Sequence, residues 1–386
     1  MELARERHLR RVALLLDEFP VVALLGARQV GKSTLAGQLI ESRQGPSAWF
    51  DLENPVDLTR LADPGLELRP LRGLVVLDEI QRLPEVFPLL RVLADRPGTP
   101  ARFLVLGSAS PTLLRQTSET LAGRVAFHEL DGFGLDEVDD LERLWLRGGF
   151  PRSYLATSAP ASRRWRDGFI QTFLARDVPE LGSLIPSTTL HRFWTMLAHW
   201  HGRLWNGAEL GRAFGVSHTT VRRYLDLLTS VFMVRQLQPW HENIAKRQVR
   251  SPKVFINDSG LLHALLGLTT REDVVSHPVV GPSWEGFVVQ QVIHLLGARP
   301  EQCYHWSTHA GAELDLLILA GNRRYGFEVK RAEAPRVTAS MRIAFETLGL
   351  ERLDVVHAGT RSYRMAPGIR ALPAADLDAT LSPLPE

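Results

Sequence analysis

The 386-residue chain predicts a mixed α/β protein, long enough for two or three domains with cores of their own. Three observations carry that prediction. Apolar blocks of strand length alternate with amphipathic stretches through the first third, as buried parallel strands and their covering helices do. A glycine-rich loop ending in Gly31-Lys32-Ser33 joins one such block to a helical pattern. Near the C-terminus, two apolar strands form a hairpin that carries acids and a lysine with a period of two.

With 45% hydrophobic and 23% charged residues, the composition is that of a folded chain and excludes a disordered one. A formal charge of +2 names no partner, but its distribution is uneven. Leu190 to Lys253 holds ten Lys and Arg against three Asp and Glu, with five His besides. The single Cys303 excludes an internal disulfide, argues against a cysteine metal cluster and suits a reducing compartment. Met1 to Glu18 lacks the apolar centre of a signal peptide, and no window reaches the roughly 20 apolar residues of a bilayer span. A cytoplasmic protein with no membrane partner is therefore expected.

The strand-like runs Val21–Leu25, Ala48–Leu52, Leu74–Leu77 and Phe103–Leu106 define a first segment, 1–135. A helical connector or lid is expected over 136–189. Asp136 to Arg147 alternates acidic and apolar positions until Gly148-Gly149-Phe150-Pro151 breaks it, and Trp165 to Leu184 places Phe169, Ile170, Phe173 and Leu174 at helical spacing. Residues 190–253 are helical in period. Residues 254–386 return to an α/β pattern, with strand-like runs from Lys253 and from Tyr304 around an apolar helix at Trp284–Leu296.

Gly26-x4-Gly31-Lys32-Ser33 follows a strand and precedes a helix opening at Thr34, the context a phosphate-binding loop requires. Backbone N–H groups there curl around phosphates at a helix N-terminus. The predicted cofactors are ATP and Mg2+. Gly26, Gly31, Lys32, Ser33 and Thr34 would bind the nucleotide, with Lys32 on the β and γ phosphates and Ser33 on the metal. Leu74-Val75-Val76-Leu77-Asp78-Glu79 ends an apolar strand in two carboxylates, Asp78 placed to hold the metal through water and Glu79 to orient the attacking water. Ser108, after Phe103–Leu106, is either a sensor of the γ phosphate or a small polar strand end.

The order and spacing of these elements resemble the AAA+ ATPases. In that resemblance Glu119-Thr120-Leu121-Ala122-Gly123-Arg124-Val125 matches a segment carrying an arginine finger, and such enzymes commonly form homo-oligomeric rings, a hexamer being one size. Arg124 is then either a finger acting in a neighbour's site or a surface arginine paired with Glu119.

Ala208 to Leu225 reads as helix, glycine turn, helix. Leu210, Ala213, Val216, Val221 and Leu225 are expected to pack, with Ser217 capping the second helix. His218, Thr219, Arg222 and Arg223 then face outward as candidate DNA contacts, polar groups toward the groove and basic ones toward phosphate. A winged helix used for protein contacts fits the same pattern. Lys246, Arg247, Arg250 and Lys253 form a second basic run, either a wing, a phosphate rail or a solvated loop. Trp194, Trp200 and Trp205 are expected to be core rather than stacking platforms.

Glu313-Leu314-Asp315 opens an apolar strand, Gly321-Asn322 turns the chain, and Tyr325 to Lys330 returns. The hairpin brings catalytic candidates Asp315, Glu328 and Lys330 together. Two carboxylates bind a divalent metal, and a lysine beside them positions water and steadies developing phosphorane charge. A solvated Glu–Lys strand face is the other reading. The triplet resembles the PD-(D/E)XK, or restriction-endonuclease-like, superfamily, and that resemblance adds Glu285 to the metal set. Gly148 to Pro151, Phe173 to Asp177 and Lys253 to Leu261 extend the likeness, from about Val21 to Lys330, to a large bacterial and archaeal family of AAA-type ATPases with such a C-terminal domain.

The resulting expectation has an AAA+-like ATPase domain at 1–135, a connector at 136–189, a winged helix-turn-helix at 190–253 and a nuclease-like α/β domain at 254–386. Its function would be to hydrolyse ATP while remodelling, translocating on or processing DNA, with a candidate nuclease site. Two other readings stay open: a DNA translocase or helicase whose nuclease-like domain is a scaffold, and a nucleotide-controlled signalling or protein-interaction switch.

Overall fold

The computed structural model describes residues 3–98, 101–107, 120–180, 185–241 and 250–384. The chain divides into two compact units, Met1–Gly132 with Ser230–Phe232, and Phe133–Thr229 with Met233–Glu386.

The first unit is built on β1 (Val21–Leu25), β2 (Ser47–Asp51), β3 (Leu74–Asp78), β4 (Arg102–Gly107) and β5 (Val125–Glu129). They form one parallel sheet in the order β2-β3-β4-β1-β5. Every residue of β1 and β3 is buried, which is why these strands read as unbroken apolar blocks. The sequence reading missed β5, whose residues at Phe127 and Glu129 are exposed, because an edge strand has no continuous apolar block to show. One core face gathers Phe50, Val75, Leu77, Phe87, Leu90 and Phe103.

The second unit joins segments that the sequence reading kept apart. Its nine-stranded sheet comprises β6 (Arg203–Leu204), β7 (Val234–Pro239), β8 (Lys253–Ile256), β9 (Cys303–Ser307), β10 (Glu313–Ala320), β11 (Arg323–Lys330), β12 (Arg352–His357), β13 (Tyr363–Ala366) and β14 (Ile369–Pro373). The order is β13-β14-β12-β11-β10-β9-β7-β8-β6. The strands flanking the helix-turn-helix are therefore continuous with the C-terminal sheet, through β7 pairing parallel to β9 at Gln238 and Tyr304. A glycine at position 321 with φ 61° turns β10 into β11. Cys303 is buried, and burial pushes its thiol up to about 12, as a packed side chain should be.

Helices Gly207–Phe214 and His218–Ser230 flank a turn at Gly215, with φ 76°. Leu210, Val221 and Leu225 are buried as expected, but Ala213 and Val216 are exposed. Phe193, Phe214 and Tyr224 take their place as an edge-to-face aromatic trio. Trp194 is fully buried, while Trp200 and Trp205 are partly covered.

Two glycine motifs of the sequence meet in a buried knot. Asp258 caps Ser259–Leu265 at the Leu261 amide, 2.8 Å, and also accepts the Gly149 amide at 2.7 Å. Arg166 donates to the Gly260 carbonyl at 2.8 Å. A Cβ at Gly148 would overlap the Asp258 carboxylate, and one at Gly260 the Arg147 carbonyl. These motifs are spacing devices for close backbone approach.

Candidate functional site

At the C-terminal edge of the parallel sheet, β1 runs into the glycine-rich loop and β3 ends at Asp78. Ligands in open α/β sheets bind at this edge. The loop closes tightly: a Cβ at Gly26 would overlap the Leu130 carbonyl oxygen, and Gly31 has φ 105° at the N-cap of Lys32–Ser42. The Lys32 side chain is buried and donates to the carbonyls of Gly26 at 3.1 Å and Ala27 at 2.9 Å. Ser33 and Thr34 are exposed on the first turn of the helix. The Ser33 hydroxyl donates to Asp78 Oδ2 at 2.7 Å, joining the loop helix to the end of β3.

Asp78 is buried, and burial raises its carboxyl above the usual range while the Ser33 hydrogen bond opposes the rise. Its Oδ1 accepts the Glu79 amide at 3.0 Å. Glu79 itself lies in the left-handed region at φ 55° and its carboxylate takes the Gln81 side-chain amide. Three non-glycine residues have positive φ among the described residues, and two of them, Gln29 and Glu79, belong to this site. Such backbone strain persists where surrounding structure over-determines it, as at functional sites. A hydroxyl and a buried carboxylate held in contact beside a lysine that rests on neutral carbonyls fit a nucleotide with its magnesium.

Arg124 is not brought to this place. Its carbonyl accepts the Val21 amide at 3.2 Å, so it sits where β1 begins, at the opposite edge of the sheet. Its guanidinium forms a two-pronged pair with Asp95, 2.6 and 2.9 Å. Ser108, Glu119, Lys246 and Arg247 lie outside the described residues.

In the second unit, His218, Thr219, Arg222 and Arg223 are all exposed on the first turns of their helix. Ser217 Oγ accepts the Thr220 amide at 3.1 Å, the expected cap. Gly211 lets the two helices close: a Cβ there would stand 2.9 Å from the Val216 carbonyl. Arg222 pairs with Asp226 at 3.0 Å across one helical turn.

The acidic cluster forms on β10, β11 and helix Val280–Leu296. Leu316 faces Phe327 in the hairpin, so Asp315 and Glu328 are the next cross-strand neighbours and share a face. Asp315 Oδ2 accepts the Val329 amide at 2.9 Å, and Lys330 Nζ meets Glu328 Oε1 at 2.7 Å. Glu285 joins them through a residue that the sequence reading placed elsewhere. Lys253, expected in a basic wing or rail, is partly buried, and its ammonium contacts Glu285 and lies 3.2 Å from Asp315. Burial works against the Lys253 charge, but Asp315 and Glu285 more than offset it and hold the group above its usual range. Burial, reinforced by Asp315, pushes Glu285 up to about 8 and Glu328 up to about 7. No local signal distinguishes Lys253 from its basic neighbours; only strand β8 carries it inward. With the Lys253 ammonium lodged between Glu285 and Asp315, this arrangement does not accommodate a metal ion between them.

Residues 18–138 match the family described as AAA domain, while 138–272 and 280–377 match two families described as domains of unknown function, DUF8612 and DUF4143. The uncharacterized protein Rv2008c of Mycobacterium tuberculosis and the uncharacterized protein Mb2031c of Mycobacterium bovis are each 51% identical over 366 residues, 94% of this chain and 82% of theirs. Among solved structures, the Walker-type ATPase PABY2304 of Pyrococcus abyssi is 16% identical with a TM-score of 0.47, covering 69% of this chain and 96% of its own. The Thermotoga maritima RuvB Holliday junction branch migration motor is 18% identical with a TM-score of 0.31, over 61% and 90%.

Proposed function

The chain belongs to the family of these uncharacterized mycobacterial proteins, its first unit is an AAA-type P-loop ATPase domain, and on that premise we propose that it hydrolyses ATP to remodel or move along DNA. The observation that carries the hydrolysis is the 2.7 Å contact of Ser33 with Asp78 beside Lys32. Lys32 exchanges the Gly26 and Ala27 carbonyls for phosphate oxygens, since those neutral partners are readily released. Ser33 and Asp78 would hold magnesium, which would supply neutralisation of charge on the phosphates. Glu79 orients water at the end of β3.

The exposed His218, Thr219, Arg222 and Arg223 on the helix after a glycine turn support DNA as the partner, together with the basic excess of this segment. The position of Arg124 at the far edge of the sheet from the loop supports a role only toward a neighbouring copy, in a ring. No helix among the described residues is long and apolar enough to cross a membrane. A cytoplasmic location belongs to the same proposal.

ATP turnover measured with and without duplex, single-stranded and branched DNA at low salt tests this reading. The expected result is stimulation by DNA that fades as salt rises, and weaker stimulation in Arg222→Ala with Arg223→Ala. Turnover indifferent to every DNA, with no binding at low salt, overturns it in favour of a protein-interaction switch. The pairing of Lys253 with Glu285 and Asp315 favours a second reading of the C-terminal part: a nuclease-like scaffold that does not cut in this arrangement.

A further inference from the structure

Two arginines from the two signature loops of the first unit share one carboxylate oxygen. Arg28 belongs to the glycine-rich loop, between Gly26 and Gly31, and its Nη2 lies 2.6 Å from Glu53 Oε1. Arg82 ends the turn Ile80–Arg82 that follows Glu79, and its Nη2 lies 3.3 Å from the same oxygen. Glu53 stands just beyond β2, where the Leu52 amide donates to the Asp78 carbonyl at 3.1 Å. In the sheet, β3 and β4 separate β2 from β1, so the loops after β1 and β2 start about 14 Å apart. The Arg28 and Glu53 side chains therefore meet across the edge on which β3 ends at Asp78. Arg28 is the better covered arginine, 16% exposed against 38% for Arg82, and the Glu53 side chain is 34% exposed. A half-open carboxylate that holds two guanidinium groups keeps one when the other departs. Departure of Arg28 thus strands no buried charge.

We propose that Arg28 is a catalytic arginine of this site: it leaves Glu53 for the terminal phosphate of ATP bound in its own chain, and Arg82 remains on Glu53. The inference rests on the ATP-hydrolysis reading of Lys32, Ser33 and Asp78. The contribution of Arg28 is charge alone. In hydrolysis the water oxygen bonds to the terminal phosphorus, the bridging oxygen departs on ADP with the bonding pair, and the water proton goes to solvent. Negative charge meanwhile spreads over the three outer oxygens, and a planar guanidinium meets two of them at once, which a lysine cannot do. The terminal phosphate also carries more charge than one carboxylate, so the exchange favours it. Arg124, at the opposite edge of the sheet with Asp95, does not supply this charge within its own chain. An arginine built into the phosphate loop makes the step independent of a neighbouring copy.

The test compares binding of ADP and of the non-hydrolysable ATP analogue AMP-PNP to the full chain in Mg2+, by calorimetry, because only the analogue carries the terminal phosphate. Arg28→Ala is expected to weaken AMP-PNP at least about tenfold while ADP binding stays unchanged. The same substitution should lower ATP turnover about 10²–10³-fold. Glu53→Gln, which loosens the hold on Arg28, should raise AMP-PNP affinity about twofold to fivefold. Equal weakening of ADP and AMP-PNP by Arg28→Ala, or weakening of neither, makes the ion pair a fastener of the loop and overturns the proposal. If Arg28→Ala does not fold, Glu53→Gln decides alone, and an AMP-PNP affinity that does not rise overturns it. A native chain that binds neither nucleotide ends the ATP reading and the proposal together. A native chain that hydrolyses ATP no faster than Arg28→Ala ends the proposal only.

Discussion

Two lysines of this protein are held in opposite ways. Lys32 rests on the backbone carbonyls of Gly26 and Ala27, leaving Asp78 to the neutral hydroxyl of Ser33. Lys253 rests on the carboxylates of Glu285 and Asp315. A cation on dipoles gives up little when a phosphate arrives, whereas a cation on buried charges leaves those charges stranded when it moves. The first lysine donates to neutral backbone groups. The second completes a closed set of charges.

That contrast is sharpest in single substitutions. Lys253→Ala removes one member of a buried charge pair and should cost about 3–5 kcal/mol of stability in urea unfolding. Eight of the nine tryptophans lie in the second unit, so tryptophan fluorescence follows it. Lys32→Ala should instead leave stability within about 1 kcal/mol and lower ATP turnover by about 10²–10³-fold, the loss expected for one charge-stabilising group. If Lys32→Ala destabilised as much as Lys253→Ala, the distinction between the two lysines would collapse.

The pH dependence probes the closed charges more gently. Glu285 and Glu328, pushed up to about 8 and about 7 from 4.5, keep protons in the fold that the unfolded chain has already lost. Stability should therefore fall as pH rises from about 4.5 through 8, and Glu285→Gln should flatten that fall. His201 and His263, depressed by burial to about 3 from 6.5, act in the other direction. The unfolded chain binds protons there first, so stability is lost as pH drops below 6.5. The two slopes oppose each other between pH 5 and 6.5, so a profile flat between 6.5 and 8 would contradict the carboxyl assignment. Smallest of all, Lys330→Ala should cost about 0–1 kcal/mol, because its ion pair with Glu328 is more than a third exposed on the lysine side.

The nucleotide site was legible because its parts are local. Gly26 to Ser33 is one contiguous turn, and β3 carries Asp78 at the end of an apolar run that only a buried strand explains. The hairpin that sets Asp315 opposite Glu328 was legible for the same reason, since a two-residue turn determines its register. Edge strand β5 was not legible, because half-exposed positions blur its pattern. Val216 was expected inside the helix pair and lies outside, where the aromatic trio of Phe193, Phe214 and Tyr224 fills the space.

The sequence by itself determined the α/β class, the glycine-rich loop with the strand that ends at Asp78, the helix-turn-helix and the acidic hairpin. Each is encoded by periodicity or turn chemistry within a few tens of residues. Only the tertiary structure decided that Arg124 lies across the sheet from the loop, that β6, β7 and β8 extend the C-terminal sheet, and that Lys253 meets Asp315, 62 residues on. The physical reason is common to all three. A charged side chain has the same sequence signature whether water or another charge satisfies it, and sheet order chooses between them.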